Sequence, residues 1–277
     1  MMIYGKAQQA GQAHQLGTAA RRALDDLLSS IYEPVTREWL NRQLPDVREG
    51  SGLHLACGNG HDSFILASLI DAQTTLMCID EDAATVQAAR HSGALGNREG
   101  VQFLQADPFN WETTQVFDFI YTRIWAGSWA GQSDLMQAIR RNLKTGGILL
   151  VEIVTLSGFR AYPYNHAFAR TMELISLLET SRPGRVTPQE QILVLLQRAG
   201  FETPEPSAGP PAFIPHADNR VVSLALEACR EAILHCRGST AEELNALLLE
   251  LREFERQDDT LISRPGLLQF TTNLNNR

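Results

Sequence analysis

From Gly52 onward, short apolar runs alternate with longer stretches in which apolar positions recur every third or fourth residue. The runs predict strands at Leu53–Ala56, Thr75–Ile79, Val101–Gln105, Phe117–Tyr121 and Gly147–Val154. The periodic stretches predict helices at His61–Ile70, Asp82–Ser92 and Ser133–Leu143. Strands that are apolar throughout and alternate with helices imply an α/β fold, a parallel sheet covered on both faces. A last apolar run, Leu267–Thr272, returns to that sheet.

Ahead of this core, Leu16, Ala20, Leu24, Leu27 and Leu28 mark a helix over Gln12–Ser30, and Trp39 and Leu40 mark a second over Tyr32–Leu44. Thr187-Pro188-Gln189-Glu190 combines an N-cap, a proline at the first helical position and a capping-box glutamate. Thr240 and Glu243 repeat the capping pair ahead of Leu244–Phe254, and helices are expected over Asn219–Cys236 and Thr240–Arg256. Lys144-Thr145-Gly146-Gly147 reads as a basic last turn and glycine stop after the helix that precedes it. Between Glu202 and Pro215, five prolines (204, 206, 210, 211 and 215) predict a turn-laden connection or a strand at a sheet edge.

The 277 residues suit one elaborated domain, and 44% hydrophobic content supports a buried core. No apolar run is long enough to span a bilayer, and Met1–Gly11 lacks the apolar stretch of a secretory signal, so a cytoplasmic protein is expected. A formal charge of −8 with scattered Lys and Arg argues against a nucleic-acid surface and favours a small, neutral or cationic substrate. The four cysteines (Cys57, Cys78, Cys229, Cys236) show no metal-ligand spacing and are expected as reduced, buried thiols, with no metal site. The partner expected is a small molecule rather than a membrane, on a monomer or homodimer.

The densest chemistry lies at Leu53-His54-Leu55-Ala56-Cys57-Gly58-Asn59-Gly60, a strand running into a glycine turn, with Asp80 ending the next strand. Glycines without a Cβ let backbone N–H groups approach a ligand, and a carboxylate one strand over can accept both hydroxyls of a ribose. Ser63 stands where a dinucleotide motif has its third glycine, which lowers the dinucleotide reading.

With Gln105-Ala106-Asp107-Pro108-Phe109, Phe117–Arg123 and Leu143–Gly147 in order behind it, this loop resembles that of the class I S-adenosylmethionine-dependent methyltransferases, in particular the ubiquinone/menaquinone-type and small-molecule group. The resemblance implies a Rossmann-like, seven-stranded, mostly parallel sheet with helices on both faces, Leu267–Thr272 being the reversed strand. It implies a helical cap at 1–45 and a methyltransferase domain at 46–277, with helical lid insertions at 157–185 and 218–257. S-adenosylmethionine would be held by Ala56, Gly58, Gly60, Asp80, Glu81, Asp107, Pro108, Phe109 and Arg123. Two residues depart from the family pattern: His54 stands for an acid that helps hold the cofactor's ammonium, and Ala56 for a glycine. Asp62 or Arg123 could stand in at the methionine end.

Trp125 and Trp129 follow the fourth strand, as a substrate wall or as one packed helical face. Tyr162, Tyr164 and His166 form a polar-aromatic cluster; Tyr164 is read as a pocket residue, and His166, Tyr162 or Glu152 as proton acceptors, unless the cluster simply ties cap to core. The expected activity is methyl transfer to a small-molecule acceptor, aromatic or a secondary metabolite. The alternatives are a cofactor-binding enzyme with non-methylating, cyclase-like chemistry and a binding protein without turnover.

Overall fold

A computed structural model describes residues 13–44, 49–92, 99–108, 111, 113–126, 132–180, 188–204, 206–209 and 212–274. Helix α1 (Ala13–Gln43) precedes a β/α series: β1 (Ser51–Leu55), α2 (His61–Leu69), β2 (Thr75–Asp80), α3 (Ala83–His91), β3 (Val101–Gln105), β4 (Phe117–Trp125), α4 (Gln132–Asn142) and β5 (Leu143–Val154). Then come β6 (Arg160–Tyr162), α5 (His166–Thr180), α6 (Pro188–Arg198), β7 (Ser207–Ala208), β8 (Ala212–Phe213), α7 (Val221–His235), α8 (Ala241–Phe254), β9 (Leu261–Arg264) and β10 (Leu268–Asn273). Seven strands form one sheet in the order β3-β2-β1-β4-β5-β10-β7. Strands β1 to β5 pair in parallel, and β10 runs antiparallel to β5, the reversed strand expected.

Alternation along the strands gives the sheet two apolar faces. Leu53, Leu55, Ile120, Leu149 and Val151 meet Ile139 of α4 and Ile192 and Leu196 of α6. Cys78, Phe119, Tyr121 and Leu150 meet Ile65 and Leu66 of α2 and Val86 and Ala89 of α3. A third apolar centre joins Leu24, Leu28 and Tyr32 of α1 to Leu174 and Ile175 of α5, Leu226 of α7 and Leu251 of α8. Among the described residues, no helix is long and apolar enough to cross a membrane.

Three expectations need correction. The N-terminal segment is one helix of 31 residues rather than two, continuing through Pro34. Proline cannot donate to the carbonyl one turn back, yet Leu28, Tyr32, Thr36 and Leu40 continue a buried stripe across the junction, so packing carries the helix past the missing bond. Strand β5 starts at Leu143, not Gly147, because Leu143 already pairs with Phe117 and a register shift between Phe117 and Phe119 absorbs the glycine pair. Gly146 has φ +77° there, and a Cβ on Gly147 would lie 2.9 Å from the Lys144 carbonyl oxygen. Cys236 is exposed just past the end of α7, unlike the other three cysteines. A small sheet in the order β6-β9-β8 is also present, with Arg160 opposite Ser263 and Phe213 opposite Ser263 on the other side.

Candidate active site

The parallel strands all end at one edge, and the order reverses direction between β1 and β4, where ligands bind in open α/β sheets. The chain leaves β1 through three left-handed residues, Ala56 (φ +56°), Gly58 (φ +54°) and Gly60 (φ +87°). The Cys57 amide donates to the Ile79 carbonyl at 3.0 Å and the Gly60 amide to the Cys57 carbonyl at 3.0 Å, which closes a tight turn over the end of β2. At Gly60 a Cβ would press on Ala89 and the Phe103 ring at 3.1 Å, whereas at Gly58 it would meet nothing within 4 Å. The backbone at Gly58 therefore borders open space.

Asp80 ties the loop to β2. Its Oδ2 accepts the Gly58 amide at 2.9 Å and its Oδ1 the Asp82 amide at 2.9 Å. A carboxylate has about four acceptor positions, so these two bonds leave room for ligand hydroxyls. Asp82 then caps α3 by accepting from Ala84 and Thr85. The Ala106 amide donates to the Asp80 carbonyl at 3.0 Å and brings Asp107 and Pro108 alongside, with Asp107 exposed and Pro108 buried. Glu81 is exposed on the same rim, and its carboxyl is raised by partial burial, against Arg21, with Asp80, Asp107 and Asp82 adding negative charge. Phe109 lies outside the described residues.

Helix α1 lies across this edge. Arg22 Nε reaches Asp82 Oδ2 at 2.8 Å, Asn59 Nδ2 donates to Asp26 Oδ1 at 2.6 Å, His61 Nε2 meets Glu33 Oε2 at 3.0 Å, and Arg37 donates to Ser68 Oγ at 3.0 Å. Sequence reasoning missed these contacts, since Arg22, Asp26 and Glu33 look like any solvated helix face.

Beneath α1 the sheet carries a polar row. Arg123 on β4 is in register with Glu152 on β5, and Glu152 with Gln269 on β10. Glu152 is fully buried; it accepts from Thr36 Oγ1 at 3.0 Å, Tyr121 Oη at 2.8 Å and Gln269 Nε2 at 2.8 Å, and Arg123 Nε lies 3.4 Å away. Arg123 also pairs with Asp62 at the start of α2. Burial opposes the Arg123 charge, but Asp62, Tyr121 and Glu152 more than offset it and hold its pKa above the ordinary arginine value; burial raises Glu152. With its oxygens taken up by neighbours, Glu152 is structural, which corrects the expectation of a proton acceptor.

His54 sits 1% exposed, its Nδ1 2.8 Å from Ser63 Oγ and its ring 4.9 Å from that of Tyr121. Burial first, and the Arg123 charge second, lower its pKa to about 3, so it is a neutral core residue. Trp125 is half-buried and its Nε1 donates to Glu179 Oε1 at 3.0 Å; Glu179 also accepts the Leu156 amide at 2.7 Å. Trp129 lies outside the described residues. Tyr162 is 70% and Tyr164 78% exposed, and His166 opens α5, also exposed. The structure brings Ala56, Gly58, Gly60, Asp80, Glu81, Asp107 and Pro108 together, and places Tyr162, Tyr164 and His166 on a solvent-facing surface at β6 and α5.

Chemically, this edge offers a backbone loop bordering open space, acceptors for a diol, and an excess of carboxylates suited to a cation. Residues 48–191 match a family described as methyltransferase domain. Trans-aconitate 2-methyltransferase from Acidovorax sp. (strain JS42) is 31% identical over 99 residues, 36% of this chain and 36% of that protein; the matched part thus spans about a third of the curated relative. Among solved structures, the YcgJ protein of Bacillus subtilis aligns with a TM-score of 0.55 at 12% identity, covering 87% of this chain and 99% of that one. Haemonchus contortus phosphoethanolamine N-methyltransferase 2, in complex with S-adenosyl-L-methionine, aligns at 0.51 and 17%, covering 86% of this chain and 51% of that one. The [4+2]-cyclase SpnF aligns at 0.52 and 16%, covering 87% and 80%. At these identities the structural likenesses show a shared fold.

Proposed function

The chain belongs to the methyltransferase-domain family and resembles its class I, S-adenosylmethionine-dependent members; on that premise we propose that it transfers a methyl group from S-adenosylmethionine to a small-molecule acceptor. The observation that carries this reading is the bond between the Gly58 amide and Asp80 at the carboxyl edge of the sheet, with open space over Gly58. The cofactor supplies an electrophilic methyl on a sulfonium, and with its ammonium it carries net positive charge. The acid-rich rim of Asp80, Glu81 and Asp107 suits that charge.

In this reading, the free lone pairs of Asp80 accept the ribose hydroxyls, Asp107 and Pro108 border the adenine, and the Ala56–Gly60 backbone follows the sugar and sulfur. Arg123 offers its cation to the amino-acid carboxylate. Trp125, held through Glu179, walls the acceptor side. Helices α5, α7 and α8 act as the lid that keeps water out, which in-line displacement requires more than it requires covalent help from the protein. His166 and Tyr162 lie on a solvent-facing surface, so the reading favours an acceptor that is already nucleophilic, such as a carboxylate or neutral amine, over one that needs a buried base.

Incubation with methyl-labelled S-adenosylmethionine and a panel of small carboxylates, amines and phenols tests this. Label should enter the small-molecule fraction with the native protein and fail to do so with Asp80→Ala. A protein that binds the cofactor but labels nothing across the panel would favour non-methylating chemistry.

A further inference from the structure

Helix geometry sorts α1 into three strips, since successive residues rotate by about 100°. Arg22, Asp26, Glu33 and Arg37 fall on one strip, latched to the loops after β1 and β2. Leu24, Leu28 and Tyr32 fall on another, buried in the apolar centre shared with α7. Asp25 lies between them, about 20° from Tyr32 in angle, while Arg21, one turn earlier, falls within the arc of the apolar strip. The latch to Asp82 and the latch to Asn59 bracket Asp25, so it overhangs the gap between the ends of β1 and β2.

Asp25 is 58% exposed at its side chain, with Arg21 Nε 3.9 Å away. Its angular place beside fully buried Tyr32 turns that exposure to the inner side of the helix. The carboxyl is pushed up to about 6, first by burial, against Arg21, with Asp80 and Asp26 adding and Arg123 opposing. Below, Arg123 has a side chain only 10% exposed, and its Nη1 makes no hydrogen bond among the described residues, a buried donor left for an anionic group. The strand position that would carry an acid is occupied by His54, which is neutral and turned to Ser63.

We propose that Asp25 of α1 supplies the carboxylate that binds the cofactor's amino-acid ammonium, taking over the task that His54 cannot perform, while Arg123 faces the neighbouring carboxylate. A free amino acid end presents both charges side by side, and this crevice offers one partner of each sign. The inference deepens the cofactor reading above and depends on it. It also makes α1 part of the binding site: the latches at Asp82 and Asn59 hold Asp25 in place.

Calorimetric titration with two probes separates the two ideas. S-adenosylhomocysteine carries the amino-acid end, and 5′-methylthioadenosine lacks it. Asp25→Asn, an isosteric change at an exposed position, should weaken S-adenosylhomocysteine binding at least tenfold and leave 5′-methylthioadenosine unchanged, whereas Asp80→Ala should weaken both. Equal affinities of Asp25→Asn and native protein for S-adenosylhomocysteine, or equal losses for both probes, would overturn the role of Asp25 while leaving the cofactor site standing. Native folded protein that binds neither probe would overturn both.

Discussion

The Gly58 amide and the Asp80 carboxylate are joined by a 2.9 Å hydrogen bond that fixes the glycine loop to the second strand. Since the other Asp80 oxygen holds the Asp82 amide, one side chain sets the spacing of two loops that face the same crevice. Replacing Asp80 by Asn puts an amide donor where an acceptor is needed at one of these bonds. Hydrogen bonds to a charged group contribute about 1.5–3 kcal/mol. Asp80→Asn should therefore lower the thermal midpoint and weaken S-adenosylhomocysteine binding at least tenfold, measured by thermal shift with and without ligand; a midpoint and ligand shift equal to those of the native protein would contradict this.

Ala56 occupies the left-handed region at φ +56°, where a Cβ costs roughly 1–2 kcal/mol. Glycine removes that strain and adds back unfolded-chain entropy of about 0.4–1 kcal/mol. Ala56→Gly should thus be neutral to stabilising, by up to about 1 kcal/mol, in urea unfolding. Gly60→Ala should do the opposite, because its Cβ would strike Ala89 and Phe103. Clear destabilisation by Ala56→Gly would show that the methyl packs favourably.

His54 gives acid lability a definite sign. Its pKa falls from 6.5 when unfolded to about 3 in the fold, mainly through burial. The stabilisation is complete above pH 6.5 and is lost as the pH falls from there toward 3. Between 6.5 and about pH 5 the loss is roughly 2 kcal/mol. His54→Gln keeps a partner for Ser63 without a titrating ring, and unfolding curves across that interval should flatten by about this amount.

Glu255 has the opposite sign. It is 7% exposed at the end of α8, accepts the Ser223 amide at 2.8 Å, and is raised from 4.5 to about 7, mainly by burial. Its contribution is complete below pH 4.5 and is lost as the pH rises through 7. Glu255→Gln should be more stable than the native protein at about pH 8, by on the order of 1–2 kcal/mol, and no more stable at about pH 4. Equal gains at both pH values would mean that the carboxylate is not desolvated.

The β/α series was legible because apolar runs and helical spacing are local properties, and Gly58, Gly60 and Asp80 were legible because turn and strand end adjoin in sequence. The continuity of α1 through Pro34 was not, since it depends on Tyr32 and Thr36 being buried by segments far along the chain. Nor was the row of Arg123, Glu152 and Gln269: each looks like an isolated polar residue until the register aligns three strands. Tyr162, Tyr164 and His166 stand out by their density, which does not say that Tyr162 on a short edge strand, Tyr164 beyond it and His166 at the start of α5 all lie exposed.

Isothermal titration of the full chain with S-adenosylmethionine and S-adenosylhomocysteine tests the central claim most directly. Saturable binding of both to the native protein, lost in Asp80→Ala that retains its circular dichroism spectrum, is the predicted result. No heat from folded native protein, or undiminished binding by Asp80→Ala, would contradict the placement of the cofactor against Gly58 and Asp80.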